Sequence, residues 1–338
     1  SPGLVSQLKP QNFDAIFMQS FVNYSYRLTA LMCKLRGIPL IMQNDASMMS
    51  DARYSRSRLV AMSFLYPWMN NLADYWLSCG DHNEIHLRHY GVADEKIVRG
   101  CHPIDGDRFE KTIAAHPEEI QKIRQELSWD ENTILYGFMG KYIERKNPFE
   151  FIDAIVQAHQ HDSRVRGVLF GGGDLSDAID QRLAELNGEV VNYGFVNQAK
   201  IPLYFAALDT FVVTSWIDPH PLVVSEAMTA GTPPILSDRC GNWGYSDTVR
   251  HRDNGLVYRC GHPKALAEAI LEMTDSETRQ RYSDRSKAVF NEQDLYCEVD
   301  AFLEVIERIK EKRGEPRQAE PRAVRLFETL SRIPVNTP

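Results

Sequence analysis

Short apolar runs of strand length alternate with helical patterns through most of this chain, and that alternation restricts the fold more than any other feature. Strands are expected at residues 14–18 (DAIFM), 39–42 (PLIM), 76–79 and 96–99, with helices at 24–36, 57–77 and 82–89. Gly37 reads as the C-cap of the first helix, and Pro67 interrupts the second. A charged stretch with helical portions follows over residues 105–131, and then the alternation restarts. Its strands are expected at 133–139 (TILYGFM), 165–170, 190–193, 210–214 and 234–237. Its helices are expected at 148–159, 181–186, 201–207, 222–230 and 263–273. Repeated β-α-β units imply parallel sheets covered by helices on both faces. The restart implies an α/β chain of two Rossmann-like, doubly wound domains facing a cleft, with ligands at the carboxyl ends of strands and in that cleft. The expected domains are 1–128 and 129–297, followed by a C-terminal helix and tail over 298–338. Residues 314–338, rich in Pro and Arg, read as a loosely packed tail or a strap.

A chain of 338 residues can bury one core in each of two domains. The net charge of −8 argues against a general nucleic-acid binder, which carries a basic excess. Six cysteines form no C-x-x-C pair and no zinc spacing, which fits free thiols in a reducing cytosol. No apolar run is long enough to cross a bilayer, so a cytoplasmic protein is expected. Arg53, Arg56 and Arg58 beside an apolar helical run fit a solvated helix flank or peripheral contact with the inner face of a membrane.

The densest chemistry lies in SWIDPHPLVVSEAMTAG, residues 215–231. A strand ends at Thr214, a loop follows, and a helix begins near Pro221 or Leu222. Free amides at a helix start, with the helix dipole behind them, can hold a phosphate. Asp218 precedes those amides and Glu226 follows about one turn inside the helix, so two carboxylates can approach one ligand and bind vicinal hydroxyls. On those two residues alone, a helix cap and a solvated carboxylate are the competing reading. A second cluster, GKYIERKN over 140–147, follows a strand directly. Gly140 would allow a tight turn, and Lys141, Arg145 and Lys146 gather positive charge that can stabilise a departing anion. A solvated charged turn is the alternative.

VLFGGGD, residues 168–174, places Gly172 in a glycine run after a buried strand, where a backbone can come close to a ligand. Ser176 stands where a dinucleotide fingerprint needs its third glycine, and no G-x-x-x-x-G-K-[ST] loop occurs, so a nicotinamide dehydrogenase and a P-loop NTPase are disfavoured. Asp45 in PLIMQNDAS could accept a hydrogen bond from a sugar or cap the following helix. His82 and His86 have helical spacing without a matching carboxylate set, and a solvated helix face is expected for them. Neither a metal site nor a D-x-D motif is expected.

The segment DPHPLVVSEAMTAGTPPILSDRCG resembles the donor-site motif of retaining family-four glycosyltransferases, E-P-x-G-L-x-x-x-E-A-M-A-x-G-x-P. GKYIERKN is similar to their G-R/K-x-x-x-x-K signature, GCHPIDGDRF to their P-x-x-V-D-x-x-R-F strand, and Asn254-Gly255 to their N-G before a strand. The resemblance runs from about Pro39 to Ile270. It implies a GT-B fold and a metal-independent, hexosyltransferase-type enzyme that needs no cofactor. Such an enzyme moves sugar from a nucleoside-diphosphate sugar to a hydroxyl of a sugar or lipid-linked acceptor, with retention, in polysaccharide or glycolipid assembly. By the same resemblance Glu226 binds the ribose, Asp218 contacts the donor sugar, and the amides of Leu222 and Val223 meet the phosphates. Lys141 and Lys146 then clamp the diphosphate with Gly140 and Arg145 in their loop, and Gly172 lines the nucleotide site. Tyr193 and Phe195 lie in the segment against which the base packs, a merely structural turn being the alternative, and Asp45 lies near the reacting sugar. Asp105 and Arg108 read as structural. Two residues depart from the pattern: Asp218 is one methylene shorter than the usual Glu, and Pro221 replaces the usual Gly. The first domain is expected to lack its opening β-α units. If so, the alternative is a non-catalytic nucleotide-sugar-binding or scaffold protein with a degenerate GT-B fold.

Overall fold

The computed structural model describes residues 2–312. They divide into two compact units, one made of residues 2–79, 83–101 and 297–312, the other of 80–82 and 102–296.

In the first unit, α1 (Pro2–Gln7) leads to β1 (Ile16–Met18), α2 (Tyr24–Arg36) and β2 (Leu40–Gln43). Then come α3 (Met48–Asp51), α4 (Arg56–Asn70), β3 (Tyr75–Ser78), α5 (Asp81–His89) and β4 (Ile97–Arg99). The four strands are parallel and lie in the order β1-β2-β3-β4, with Ile16 opposite Leu40, Ile41 opposite Tyr75 and Trp76 opposite Ile97. β2 and β3 are buried at every position, which is why both read as unbroken apolar runs. α2 keeps its expected bounds because Gly37, at φ 68°, turns the chain out of the helix. α4 ends at Asn70, seven residues before the expected 77. Pro67 does not interrupt it; its fixed φ suits a helix, and its carbonyl still accepts from Asn71 N–H (3.2 Å). What ends the helical run is the sheet: Asp74 N–H donates to Leu40 O (2.8 Å), and Leu40 N–H donates to the Asp74 carboxylate (3.0 Å).

The second unit runs α6 (Gly106–Ala115), α7 (Pro117–Leu127), β5 (Ile134–Lys141), α8 (Pro148–His161), β6 (Val165–Gly172), α9 (Ser176–Leu183) and β7 (Val190–Gly194). It continues through α10 (Ile201–Ala207), β8 (Thr210–Val213), α11 (Leu222–Thr229), β9 (Pro234–Ser237), β10 (Leu256–Tyr258), α12 (Pro263–Glu272) and α13 (Ser276–Glu292). Its six parallel strands lie in the order β10-β9-β8-β5-β6-β7. The chain therefore winds outward from β5 in one direction and from β8 in the other. Alternation along β5 serves both faces: Leu135 joins the core beneath α7, α10 and α11, while Ile134, Tyr136 and Phe138 join the core beneath α8 and α12.

The boundary between units differs from the expected 128/129. Amphipathicity shows that α6 and α7 bury one face but not what that face meets. Phe109, Ile123 and Leu127 enter the second unit's core, and Arg124 donates to the Asp209 carboxylate (2.6 Å) and to Thr133 O (2.7 Å). The final helix, α14 (Leu295–Lys312), starts three residues before the expected 298. From it Ala301, Val305 and Ile309 pack on Ile41, Tyr75, Leu77 and Val98 in the first unit. Glu298 fixes it there, accepting from Cys101 N–H (2.8 Å) and Gln43 Nε2 (2.9 Å). The expected tail over 314–338 lies outside the described residues.

Candidate functional site

Where the winding direction of a doubly wound sheet reverses, the loops at the carboxyl ends of the two central strands leave in opposite directions and open a crevice. Here those strands are β5 and β8, which pair only through Tyr136–Thr210 and Gly137–Phe211, although β5 runs on to Lys141 and β8 to Val213. The loop after β5 carries Arg145 and Lys146, and the loop after β8 carries Asp218.

The two loops are tied together. Lys146 Nζ forms an ion pair with Asp218 Oδ2. Trp216 N–H donates to Arg145 O (2.9 Å), and Arg145 Nη1 donates to Ile217 O (3.0 Å). Thr214, buried at the end of β8, shares its hydroxyl proton between Lys146 O (2.9 Å) and Asn147 O (2.8 Å). Asn147 adopts a left-handed backbone (φ 50°, ψ 55°) at the start of α8, and its Nδ2 donates to Glu150 Oε2 (2.5 Å). Asn tolerates this conformation better than other side-chain-bearing residues. The Asp218 backbone is held as well: its N–H donates to Arg239 O (3.3 Å) and its carbonyl accepts from Gly241 N–H (2.9 Å).

α11 begins beside this pair. Pro221 is its N-cap and brings no N–H, and Val224 N–H turns back to Pro221 O (3.0 Å). The amides of Leu222 and Val223 meet no acceptor among the described residues, as expected for the first donors of a helix. One turn further, Glu226 is half-buried and its carboxylate makes no hydrogen bond among the described residues. Burial pushes its pKa above the ordinary value, and the Arg108 guanidinium opposes that shift. The second unit thus presents two helix amides, a lysine–carboxylate pair and a poorly solvated carboxylate around the switch point. Such a set can bind an anion and adjoining hydroxyls.

Other expected residues lie differently. Lys141 ends β5, exposed and without an ionic partner among the described residues. Gly140 makes no tight turn: it lies in extended β5 opposite Gly171, where an added methyl would meet nothing. The glycine run instead brings two protein backbones together, since a side chain on Gly171 would strike Gly140 O and one on Gly173 would strike Tyr142 O. Gly172, between them, accepts from Tyr142 N–H (3.0 Å). Tyr193 is bound into an aromatic cluster, its hydroxyl 2.5 Å from that of Tyr204 and its ring 5.6 Å from Phe170. Phe195 is 83% exposed. Asp45 belongs to the first unit and makes no capping bond among the described residues; Ser47 caps α3, accepting from Ser50 N–H (3.3 Å).

Asp105 caps α6, accepting from Arg108 N–H (3.1 Å). His86 is not on a solvated face but buried 3.2 Å from the Asp51 carboxylate, which also accepts from Tyr90 OH (2.8 Å). His82 packs against Trp243, and burial lowers its pKa. Among the described residues, no group of three His, Cys, Asp or Glu could hold a metal, and no helix is long and apolar enough to cross a membrane. Sequence reasoning missed Thr214, Asn147 and Glu150, the residues that hold the Lys146 loop. The one available signal was Asn147 directly before Pro148, a position where a chain turns into a helix.

The family pattern described as Glycosyl transferases group 1 matches residues 119–289, half of the chain. An uncharacterised glycosyltransferase of Methanocaldococcus jannaschii is 29% identical over 177 residues, covering 52% of this chain and 43% of the relative. The UDP-Gal:α-D-GlcNAc-diphosphoundecaprenol α-1,3-galactosyltransferase of Escherichia coli is 22% identical over 285 residues, covering 81% of this chain and 70% of that enzyme. The chain spans less than half the length of the first curated relatives it matches. Among solved structures, Anabaena HepE in complex with UDP and glucose superposes with a TM-score of 0.68 at 20% identity, over 91% of this chain and 80% of HepE. With two parallel sheets, a switch point in the second and the family pattern across it, this chain belongs to the glycosyl transferases group 1 family and has the GT-B fold.

Proposed function

We propose that the second unit binds a nucleoside-diphosphate sugar and that the chain transfers the sugar, with retention, to a hydroxyl of a sugar or lipid-linked acceptor. The observation that carries this reading is the Lys146–Asp218 pair beside the unpaired amides of Leu222 and Val223 at the switch point. A diphosphate fits that place: the amides and the α11 dipole take phosphate oxygens, and Lys146, Arg145 and Lys141 supply cations. Asp218 then accepts from a sugar hydroxyl and Glu226 from the ribose. The relatives support a nucleotide-sugar donor, since HepE was solved with UDP and the E. coli enzyme is named for UDP-Gal.

In the reaction, the bond from the anomeric carbon to the diphosphate oxygen breaks and the cations take up the developing charge. The acceptor oxygen attacks the same face, and its proton passes to the departing phosphate oxygen. Asp45 in the first unit, which leaves the capping of α3 to Ser47, is the carboxylate we assign to the acceptor side.

A thermal-shift screen of UDP-, GDP- and ADP-sugars, followed by a transfer assay with the donor that stabilises most, tests the proposal. The expected result is stabilisation by one nucleotide class and no turnover by Lys146→Ala. Unchanged turnover in that variant overturns the assignment. Pro221 and the short Asp218 favour a second reading, a binder without turnover, and donor binding with no transfer to any acceptor selects it.

A further inference from the structure

Asp45 lies in the loop that joins β2 to α3, at the carboxyl end of a parallel strand, where such folds place their ligands. Residues 44–47 have no regular backbone structure, yet their positions are fixed from outside the loop. One side chain does this: Asn83 on α5, which is 2% exposed. Its Nδ2 donates to Asn44 Oδ1 (2.9 Å) and to Ala46 O (2.8 Å), the residues immediately before and after Asp45. Its Oδ1 accepts from Cys79 N–H (3.3 Å), just past the end of β3. A backbone N–H can only donate, so this bond decides which end of the Asn83 amide carries the oxygen. Both amide hydrogens are therefore spent on the flanks of Asp45.

The far end of the same segment is held from the same helix. His86, one turn after Asn83 on that face of α5, lies 3.2 Å from the carboxylate of Asp51, the last residue of α3. That carboxylate also accepts from Tyr90 OH (2.8 Å). Within the loop, Asn44 Oδ1 accepts a second bond from Ala46 N–H (3.2 Å), and Asn44 O accepts from Cys79 Sγ (3.5 Å). Of residues 44–51 Asp45 alone is exposed. Stability by itself does not call for such a network, because a satisfied buried amide is worth little more than an apolar side chain of the same shape. What a satisfied buried network does supply is one defined conformation.

We propose that Asn83 is a positioning residue for the transfer reaction: by bracketing Asp45 it fixes the carboxylate that orients the acceptor hydroxyl. The inference rests on the assignment of Asp45 to the acceptor side. An irregular loop left to itself samples many backbone states, and a carboxylate carried on it would meet the acceptor in only a few of them. Anchoring the residue on each side removes that freedom while leaving the carboxylate itself open to a ligand. The expected size of the effect is large, since displacing an orienting group by about 1 Å can cost on the order of a hundredfold in rate.

The test measures transfer by the whole chain from UDP-glucose and UDP-galactose to octyl glucoside and octyl N-acetylglucosaminide. The variants are Asn83→Ala, Asn83→Asp, Asp45→Asn and the Asp45→Asn/Asn83→Ala double. Asn83→Asp keeps the size of the side chain and an acceptor for Cys79 N–H, and loses both donors. Both Asn83 variants should lower kcat/KM for the acceptor about a hundredfold and leave the donor KM at the parent value. In the Asp45→Asn background, Asn83→Ala should cost less than about threefold more, because the group it positions is already gone. Circular dichroism and urea melting check the fold, and if Asn83→Ala melts, Asn83→Asp takes its place in the cycle. Losses that multiply in the double variant, a change confined to the donor KM, or parent kinetics in Asn83→Asp overturn the proposal. A parent that binds a donor and transfers to no acceptor fails the transfer reading itself, and Asn83 then has no reaction to serve. A parent that transfers beside an equally active Asn83→Asp fails this inference alone.

Discussion

The Lys146 side chain is 21% exposed and the Asp218 side chain 10%, so the two differ in how well water can replace a lost partner. Removing the lysine leaves a carboxylate with little solvent beside buried Cys240. Lys146→Ala should therefore destabilise the protein by about 3 kcal/mol, the low end for a buried pair because the lysine retains some water. Adding Asp218→Asn should restore part of that loss, since the stranded charge is gone. Urea unfolding of the two single variants and the double measures it, and strictly additive losses would mean the pair is not energetically coupled. Asn147 has a separate part. Asn147→Ala keeps the strained left-handed backbone while losing the bond to Glu150, and should cost about 1–2 kcal/mol with a weaker nucleotide-sugar thermal shift. At this scale the charged residues of the site were legible by type and spacing. Thr214 and Asn147 were not, because their roles depend on carbonyl positions that only the folded loop creates.

At the scale of elements, α11 is the point where this chain departs from the pattern it otherwise matches. Pro221 occupies the N-cap at φ −68°, a value its ring prefers, so it fits the helix start without strain. Its cost is chemical, one N–H fewer at the mouth of the candidate site. Pro221→Gly should bind the preferred nucleotide sugar several-fold more tightly. It should also lower stability by about 0.4–1 kcal/mol, because the unfolded chain gains freedom. Titration calorimetry with thermal melts separates the two effects, and unaltered affinity would show that the missing amide points away from the phosphates. Most elements were readable because the apolar period changes cleanly between strand and helix. α13 was not anticipated: only Tyr282, Ser286, Val289 and Phe290 of its seventeen residues are buried, too sparse a stripe to register in so polar a sequence. The expected helix at 181–186 lies earlier, at Ser176–Leu183, where Ser176 bonds back to Gly173 N–H (3.0 Å) and turns the chain into the helix at once.

Across the whole molecule, two parallel sheets were foreseeable from the restart of the alternation, whereas the owner of a connecting helix was not. α7 and α14 each show an apolar stripe that would suit either sheet; the Arg124–Asp209 pair and the Glu298 bonds decide between them, and both join residues far apart in sequence. Carboxylate burial shapes the response to pH. Burial, as the largest cause, raises the pKa of Glu150, Glu226 and Glu298 above that of an ordinary glutamate. Each of these groups binds its proton in the folded state at a higher pH than in the unfolded chain. Their combined contribution therefore grows as pH falls through the raised values and is complete below about 4.3, the unfolded glutamate value. His82 and His251, whose pKa values burial lowers, oppose this: as pH falls through about 6.5 the unfolded chain takes up their protons first, and stability declines. A single pH profile mixes the two signs, so the informative quantity is a difference between variants. Glu226→Gln should melt higher than the parent at neutral pH, and the gap should close as acid protonates the parent's Glu226. Scanning fluorimetry of both proteins from neutral pH to about 4.5 reads that gap directly. A gap independent of pH would mean that Glu226 is not the poorly solvated carboxylate described, and would remove the structural ground for assigning it to the ribose.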